Sequence, residues 1–299
     1  MKQQIKSSLI LLLTATIWGV AFVAQSVGME YIGPFTFNAI RCVLGGLVLI
    51  PVILVLKKKK ETGAENQEKE DKKTLWAGGI ACGVILCIAS NLQQFGIMEA
   101  SVGKSGFFTA LYIVMIPVIG IFIGKRPGIK LWFCAALAVV GMYLLCMKDG
   151  SFTIERADIM LLLCALVFSF HILVVDYFSP KVDGVKMSCI QFFVCGVLSA
   201  VGMLFTETPD ISNIQAAWLP LLYAGLLSCG VGYTLQIVGQ KGINPVIASL
   251  IMSLESVISA LAGWVILGQV LSPKEILGCV LMFVAIIITQ IPIGNKKTD

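Results

Sequence analysis

The sequence predicts an all-helical integral membrane protein of ten transmembrane helices, built as two inverted five-helix repeats with both termini in the cytoplasm. Three observations carry this expectation: the composition, the length of the apolar runs and the distribution of basic residues. Of the 299 residues, 58% are hydrophobic and 13% are charged, whereas a soluble globular domain carries roughly 25% charged residues. The mean hydropathy is +0.92, so too little polar material remains to cover a folded surface in water. The apolar residues come in runs of about 20, the length a helix needs to cross a hydrocarbon core of roughly 30 Å.

Read in order, the spans are expected near residues 8–27, 35–56, 74–95, 102–123, 129–147, 157–175, 186–205, 216–237, 244–267 and 275–292. Met1 to Lys6 followed by an apolar run resembles a signal peptide, but no small-x-small cleavage site follows, so this segment reads as a retained first helix. One clearly polar stretch, Lys57 to Lys73, opens with four lysines and continues with Glu, Lys, Asn and Gln. It reads as a loosely ordered cytoplasmic loop. The ten cysteines lie inside or at the edges of the apolar runs and form no CxxC pair, which reads as small apolar packing rather than a metal site or disulfide frame.

With the N-terminus in the cytoplasm, seventeen Lys and Arg residues fall on the cytoplasmic side and four (Lys104, Lys148, Arg156 and Lys274) on the other, with Arg41 inside the second span. This bias fixes the expected orientation and requires an even number of spans. In a chain of this composition the net charge of +5 reports topology and gives no reason to expect a nucleic-acid partner.

Internal similarity divides the chain into an expected first repeat, 1–150, and second repeat, 151–299. A shift of 143 sets Leu92-Gln93 on Leu235-Gln236, Gly96 on Gly239, Leu111 on Leu254 and Gly120 on Gly263. A shift of 150 sets Leu11–Leu13 on Leu161–Leu163 and Trp18 on Phe168. Five helices per repeat place the second half upside down relative to the first, the arrangement that lets two halves expose one site to either side in turn.

The sequence resembles the drug/metabolite transporter superfamily, and within it the EamA-type members, over nearly its whole length. The resemblance rests on Trp18-Gly19, on Gly106-Phe107-Phe108-Thr109-Ala110-Leu111-Tyr112 through Pro117, and on Gly141 with Leu144-Leu145. It continues with Ser253-Leu254-Glu255-Ser256, Gly263-Trp264, Leu267-Gly268 and Leu271 to Gly278. Two positions depart from the pattern: Ser256 stands where proline is frequent, and Gln269 where an acidic residue is frequent. The resemblance implies secondary transport of metabolites, amino acids or drug-like compounds, commonly export coupled to protons, with uptake also found among relatives. No cofactor is implied, and a homodimer is left open.

Candidate site residues are those that lipid should not tolerate. Glu255 lies mid-span, where a charge costs roughly 2.5–3.5 kcal/mol, so it faces the bundle interior as a coupling or substrate group or as an interhelical hydrogen-bond partner. Met252 and Ser259 lie one helical turn to either side, and Ser253, with Ser249 and Ser256, follows a neighbouring small-residue stripe. The 143-residue shift sets Tyr112 opposite Glu255 and Gln93 opposite Gln236, so that four side chains approach one centre. Arg41 either snorkels to the interface or anchors an anion or Glu255. His171, the only histidine, is a candidate proton relay; Trp18, Asn38 and Asn91 are candidate lining. Pro117 and Pro245 are expected to permit bending.

Gly103-Lys104-Ser105 imitates the end of a phosphate-binding loop, but Met98 stands where that motif needs glycine. A membrane-embedded enzyme would require a constellation of catalytic groups that one histidine and one deep carboxylate do not supply. A structural or assembly protein would have no use for Glu255. The expected function is therefore secondary active transport across the cytoplasmic membrane, with export as the expected direction and import or uncoupled facilitation as the alternative.

Overall fold

A computed structural model describes residues 2–62, 71–100, 102–122, 124, 128–146, 155–268 and 272–290. Among these there is no strand. The ten apolar helices follow one another as Lys2–Gly28, Pro34–Thr62, Lys72–Glu99, Val102–Ala110 with Tyr112–Phe122, Ile129–Cys146, Arg156–Phe178, Gly184–Thr206, Trp218–Leu222 continuing through Tyr223–Tyr233 and Thr234–Gln240, Pro245–Met252 with Glu255–Leu267, and Pro273–Gln290. A short helix, Ile211–Ala216, precedes the eighth. Eight of the ten have the length and apolar character to cross a bilayer, while the fifth and tenth carry shorter apolar stretches, Ile129–Gly141 and Ile276–Ile288. Large apolar side chains cover the outside: Phe122, Phe205 and Val265 are each at least 76% exposed. Such a surface is stable against acyl chains and not against water. The chain is an integral, multi-pass membrane protein.

The second helix runs through Lys57–Lys60 to Thr62, so part of the expected loop is helical. Residues 63–70 of that loop lie outside the described residues, as does Gln269. Pro245 sits at the first position of its helix, after the Asn244 N-cap, where proline starts a helix instead of bending it.

The helices pack in matched pairs. The first lies against the eighth and ninth, the third against the sixth and seventh, the second against the seventh, and the fifth against the tenth. Individual contacts repeat at the sequence shifts. A methyl group on Gly96 would fall 2.5 Å from Leu161 Cγ, and one on Gly239 would fall 3.0 Å from Leu11 Cδ2; Gly239 and Leu161 are Gly96 and Leu11 displaced by 143 and 150 residues. Likewise a methyl group on Gly46 would fall 3.0 Å from the Phe193 ring, and one on Gly196 would fall 3.0 Å from Val43 Cγ2, with both partners displaced by 150. Reciprocal contacts of this kind arise when two similar units meet about a two-fold axis.

The helix starts are less symmetric. The seventh is capped by its own Asp183, whose side chain accepts from Val185 N and Lys186 N. At the matched position the second helix has Gly33. There the Glu207 carboxylate, from the end of the seventh helix, accepts from Phe35 N and Thr36 N at 2.8 Å and from Thr36 Oγ1 at 2.6 Å. It occupies the space a side chain at Gly33 would fill, 2.4 Å from a built Cβ.

Candidate functional site

Two helices break at matched positions. The fourth is interrupted at Leu111 and the ninth at Ser253-Leu254, and Leu254 is Leu111 displaced by 143. Tyr112 and Glu255 are consequently each the first residue of a second half-helix. In the ninth helix the break coincides with the serines: Ser249, Ser253, Ser256 and Ser259 each donate to the carbonyl three residues back, at 2.7–2.9 Å. Such back-bonding competes with the regular ladder and bends a helix. At the head of the second half, the Glu255 carboxylate also meets the positive end of that half-helix dipole.

Tyr112 and Glu255 meet directly: the Tyr112 hydroxyl donates to Glu255 Oε1 at 3.0 Å, with both residues buried. Around them lies a narrow cavity of about 30 Å³, room for roughly two waters. Its wall comprises Trp18, Ala21, Phe22 and Gln25 of the first helix, Arg41 of the second, Gln93 of the third, and Thr109 and Tyr112 of the fourth. Phe168 and Ile172 of the sixth, Ser228, Tyr233 and Gln236 of the eighth and Glu255 of the ninth complete it. Four pairs are sequence mates: Trp18 with Phe168 and Phe22 with Ile172 at 150 residues, Gln93 with Gln236 and Tyr112 with Glu255 at 143. The cavity straddles the boundary between the halves.

Arg41 does not snorkel. It is 2% exposed, donates from Nη1 to Gln25 Oε1 at 2.8 Å and lies over the Phe37 ring at 5.6 Å. The inward course follows from an amide partner waiting inside the bundle, where the interface offers the aliphatic stem nothing equivalent. Among the described residues Arg41 makes no ion pair with Glu255, and its Nε atom is buried without a partner. Gln93 donates to Thr109 Oγ1 at 3.4 Å. Gln236 Oε1 is buried with no hydrogen-bond partner among the described residues, an acceptor free for a solute or water. Trp18 packs against Tyr233 with ring centroids 4.6 Å apart and the rings tilted by 55°.

Four of the expected residues stand behind the wall. His171 bonds to Gln191 Oε1 at 3.1 Å and meets Tyr233 and Phe168 edge-on. Asn38 donates to Asn91 Oδ1 at 2.9 Å, while Asn91 donates to Cys87 O and Ser199 Oγ, tying the second, third and seventh helices together. Ser253 is spent on the Leu250 carbonyl at the helix break. Conversely, the sequence reading passed over Gln25, Thr109 and Tyr233. Helical spacing signals Gln25, seven residues after Trp18 on the same face of an unbroken helix, whereas Thr109 and Tyr233 are separated from Tyr112 and Gln236 by a helix break and by the end of a π segment.

Behind the cavity wall, next to Arg41, Cys42 and Cys195 approach to 3.4 Å between sulfurs. Lys104, of the apparent phosphate loop, pairs instead with Glu155 at 2.9 Å and Asp158 at 3.0 Å. Among the described residues no group of three or more His, Cys, Asp or Glu is placed to hold a metal ion.

A family model described as the EamA-like transporter family matches the chain twice, over residues 5–147 and 155–291. The chain belongs to that family. An uncharacterized transporter of Archaeoglobus fulgidus is 27% identical over 282 residues, covering 94% of this chain and 84% of the relative. The uncharacterized transporter YwfM of Bacillus subtilis is 24% identical, covering 97% and 96% respectively. A crystal structure of a protein at 18% identity superposes with a TM-score of 0.76 over 95% of this chain and 96% of its own, which shows a shared fold. In this EamA-like transporter the central wall combines one carboxylate, one guanidinium, three amides and a cluster of aromatic rings. Such a mixture fits a small solute held by its apolar body and oriented at polar ends.

Proposed function

We propose that this EamA-like transporter exports a small amphipathic solute bearing a basic nitrogen, by alternating access of the central cavity, with Glu255 as the coupling carboxylate. The observation that carries the reading is Glu255 at the break of the ninth helix, buried in the cavity wall and held by Tyr112 from the other half. A carboxylate in that setting binds either a proton or a cationic solute, and exchange between the two couples solute movement to a proton gradient. Trp18, Tyr233 and Phe168 supply faces for the apolar body and for a cation. Arg41, bonded to a neutral amide, has charge to offer an anionic group, so a zwitterion fits both ends.

The reciprocal contacts between halves support an inverted repeat whose two-fold axis lies in the membrane plane, and the bias of basic residues supports cytoplasmic termini. Exchange of the two halves' conformations then opens the site to each side. The deciding experiment compares metabolites inside and outside cells expressing wild type, Glu255→Gln or neither. Export predicts a compound that accumulates outside with wild type alone. Equal accumulation with the variant removes Glu255 from the mechanism, and depletion of the medium reverses the direction.

A further inference from the structure

The third and eighth helices occupy matched places yet differ by one residue. A methyl group on Gly83 would meet Val194 Cβ at 2.6 Å and Gln191 O at 2.8 Å; one on Gly225 would meet Leu44 Cβ at 2.7 Å and Arg41 O at 3.2 Å. Val194 and Gln191 are Leu44 and Arg41 displaced by 150, so Gly83 and Gly225 are mates. Farther along, Gly96 on Leu161 and Gly239 on Leu11 are mates as well. Thirteen residues separate Gly83 from Gly96, and fourteen separate Gly225 from Gly239. Between these two fixed points the eighth helix carries one residue more.

The third helix is regular throughout, but Tyr223–Tyr233 of the eighth is a π-helix. In that form each N–H bonds five residues back, so a turn holds an additional residue while the flanking helix keeps its rotation. The segment faces the first helix. There Trp18 Nε1 donates to Ser228 O at 3.4 Å, Thr14 Oγ1 to Gly232 O at 3.5 Å, and the Tyr223 hydroxyl to Ile17 O at 3.1 Å. The Trp18 ring lies so close to Gly232 that a methyl there would fall 2.7 Å from Nε1. The eighth helix gives the cavity Ser228, Tyr233 and Gln236, whereas the third gives only Gln93.

We infer that the extra residue of the eighth helix is a positioning device: the π segment absorbs it and uses the opened turn to seat the Trp18 indole, shaping one wall of the cavity and so its choice of solute. The inference rests on the reading of this cavity as the solute site, but its test does not require transport. In full-length chain retaining Trp18 as the sole tryptophan, one of Leu226-Leu227 is deleted, which should return the segment to an α-helix with both flanks in register. The same deletion at Val84 in the third helix, which has no π turn to relax, should throw Gln93 and Gly96 about 100° around the helix.

The expected result is that the eighth-helix deletion purifies as a monodisperse species with Tm close to wild type, the third-helix deletion does not, and Trp18 emission moves to the red with increased quenching by acrylamide. Gly232→Ala, which keeps the residue count, should alter Trp18 emission in the same direction. Misfolding of the eighth-helix deletion, or folding of both deletions, overturns the assignment of an absorbed insertion. Folding with unchanged Trp18 emission in both eighth-helix variants overturns the positioning role. Because these readouts need no solute, their failure leaves the export reading standing, and failure of export leaves them intact.

Discussion

The first five helices and the last five approach one another closely at matched positions and carry different chemistry. At the matched helix breaks one half offers the Tyr112 phenol and the other the Glu255 carboxylate. At the matched helix starts one has Gly33 and the other Asp183. At the matched positions 41 and 191 the first half turns Arg41 into the cavity wall, while in the second Gln191 holds His171. Close helix crossings are shared because they depend on small residues at fixed spacing, and any change there costs packing on both sides. Charged and hydrogen-bonding groups are under no such requirement, so the site is asymmetric within a symmetric frame.

The largest effect should come from moving the charge. Glu255→Tyr leaves two facing phenols and no ionisable carboxylate, and is expected to lower export about a hundredfold, the equivalent of roughly 2.7 kcal/mol. The exchanged pair, Tyr112→Glu with Glu255→Tyr, keeps one carboxylate and one phenol in contact and should recover much of that loss. Solute efflux from proteoliposomes measures both. Recovery would make the two breaks geometrically equivalent, whereas no recovery would tie the carboxylate to the ninth helix.

Next come the crossings. Gly96→Ala puts a methyl 2.5 Å from Leu161 Cγ, and Gly239→Ala puts one 3.0 Å from Leu11 Cδ2. Overpacking of this kind costs about 1–3 kcal/mol, with Gly96→Ala the more damaging of the two in thermal unfolding. Equal losses would mean that Leu161 yields as easily as Leu11. Smaller again is the borrowed cap: Glu207→Ala should cost about 1 kcal/mol, the usual value of an N-cap. Adding Gly33→Asp to Glu207→Ala should restore stability by giving the second helix the cap the seventh already has. Alone, Gly33→Asp collides with Glu207 and destabilises, so the two changes together are better than either.

Much of this was legible in the sequence, for identifiable reasons. Runs of apolar residues must cross lipid as helices, so the ten helices and their order follow from hydropathy alone. Tyr112 falls opposite Glu255 in the sequence because the 143-residue shift survives in the fourth and ninth helices. Hidden from the sequence were features decided between helices. Arg41 has the stem length to reach the interface, and only the position of Gln25 on a neighbouring helix turns it inward. The break at Ser253-Leu254 depends on which carbonyl each serine takes. The π segment contains no proline to announce it, and it shows only as a change of shift from 142 to 143 between Gly225 and Gln236.

The smallest expected effect is the most informative about Glu255. Tyr112→Phe keeps the ring and the cavity shape and removes a single donor. Buried hydrogen bonds between membrane helices are worth about 0.6 kcal/mol on average, because a chain unfolded within the bilayer also finds partners. Thermal unfolding should therefore shift by about 2 °C or less. Export measured beside it separates two uses of the hydroxyl. If Tyr112 only ties the halves together, export by Tyr112→Phe tracks this slight loss of stability. If the hydroxyl holds the carboxylate in the geometry that exchanges proton for solute, export falls severalfold in a protein that is otherwise intact. The second outcome is expected, since Glu255 accepts from Tyr112 where the two broken helices present matched residues to one another in the cavity wall.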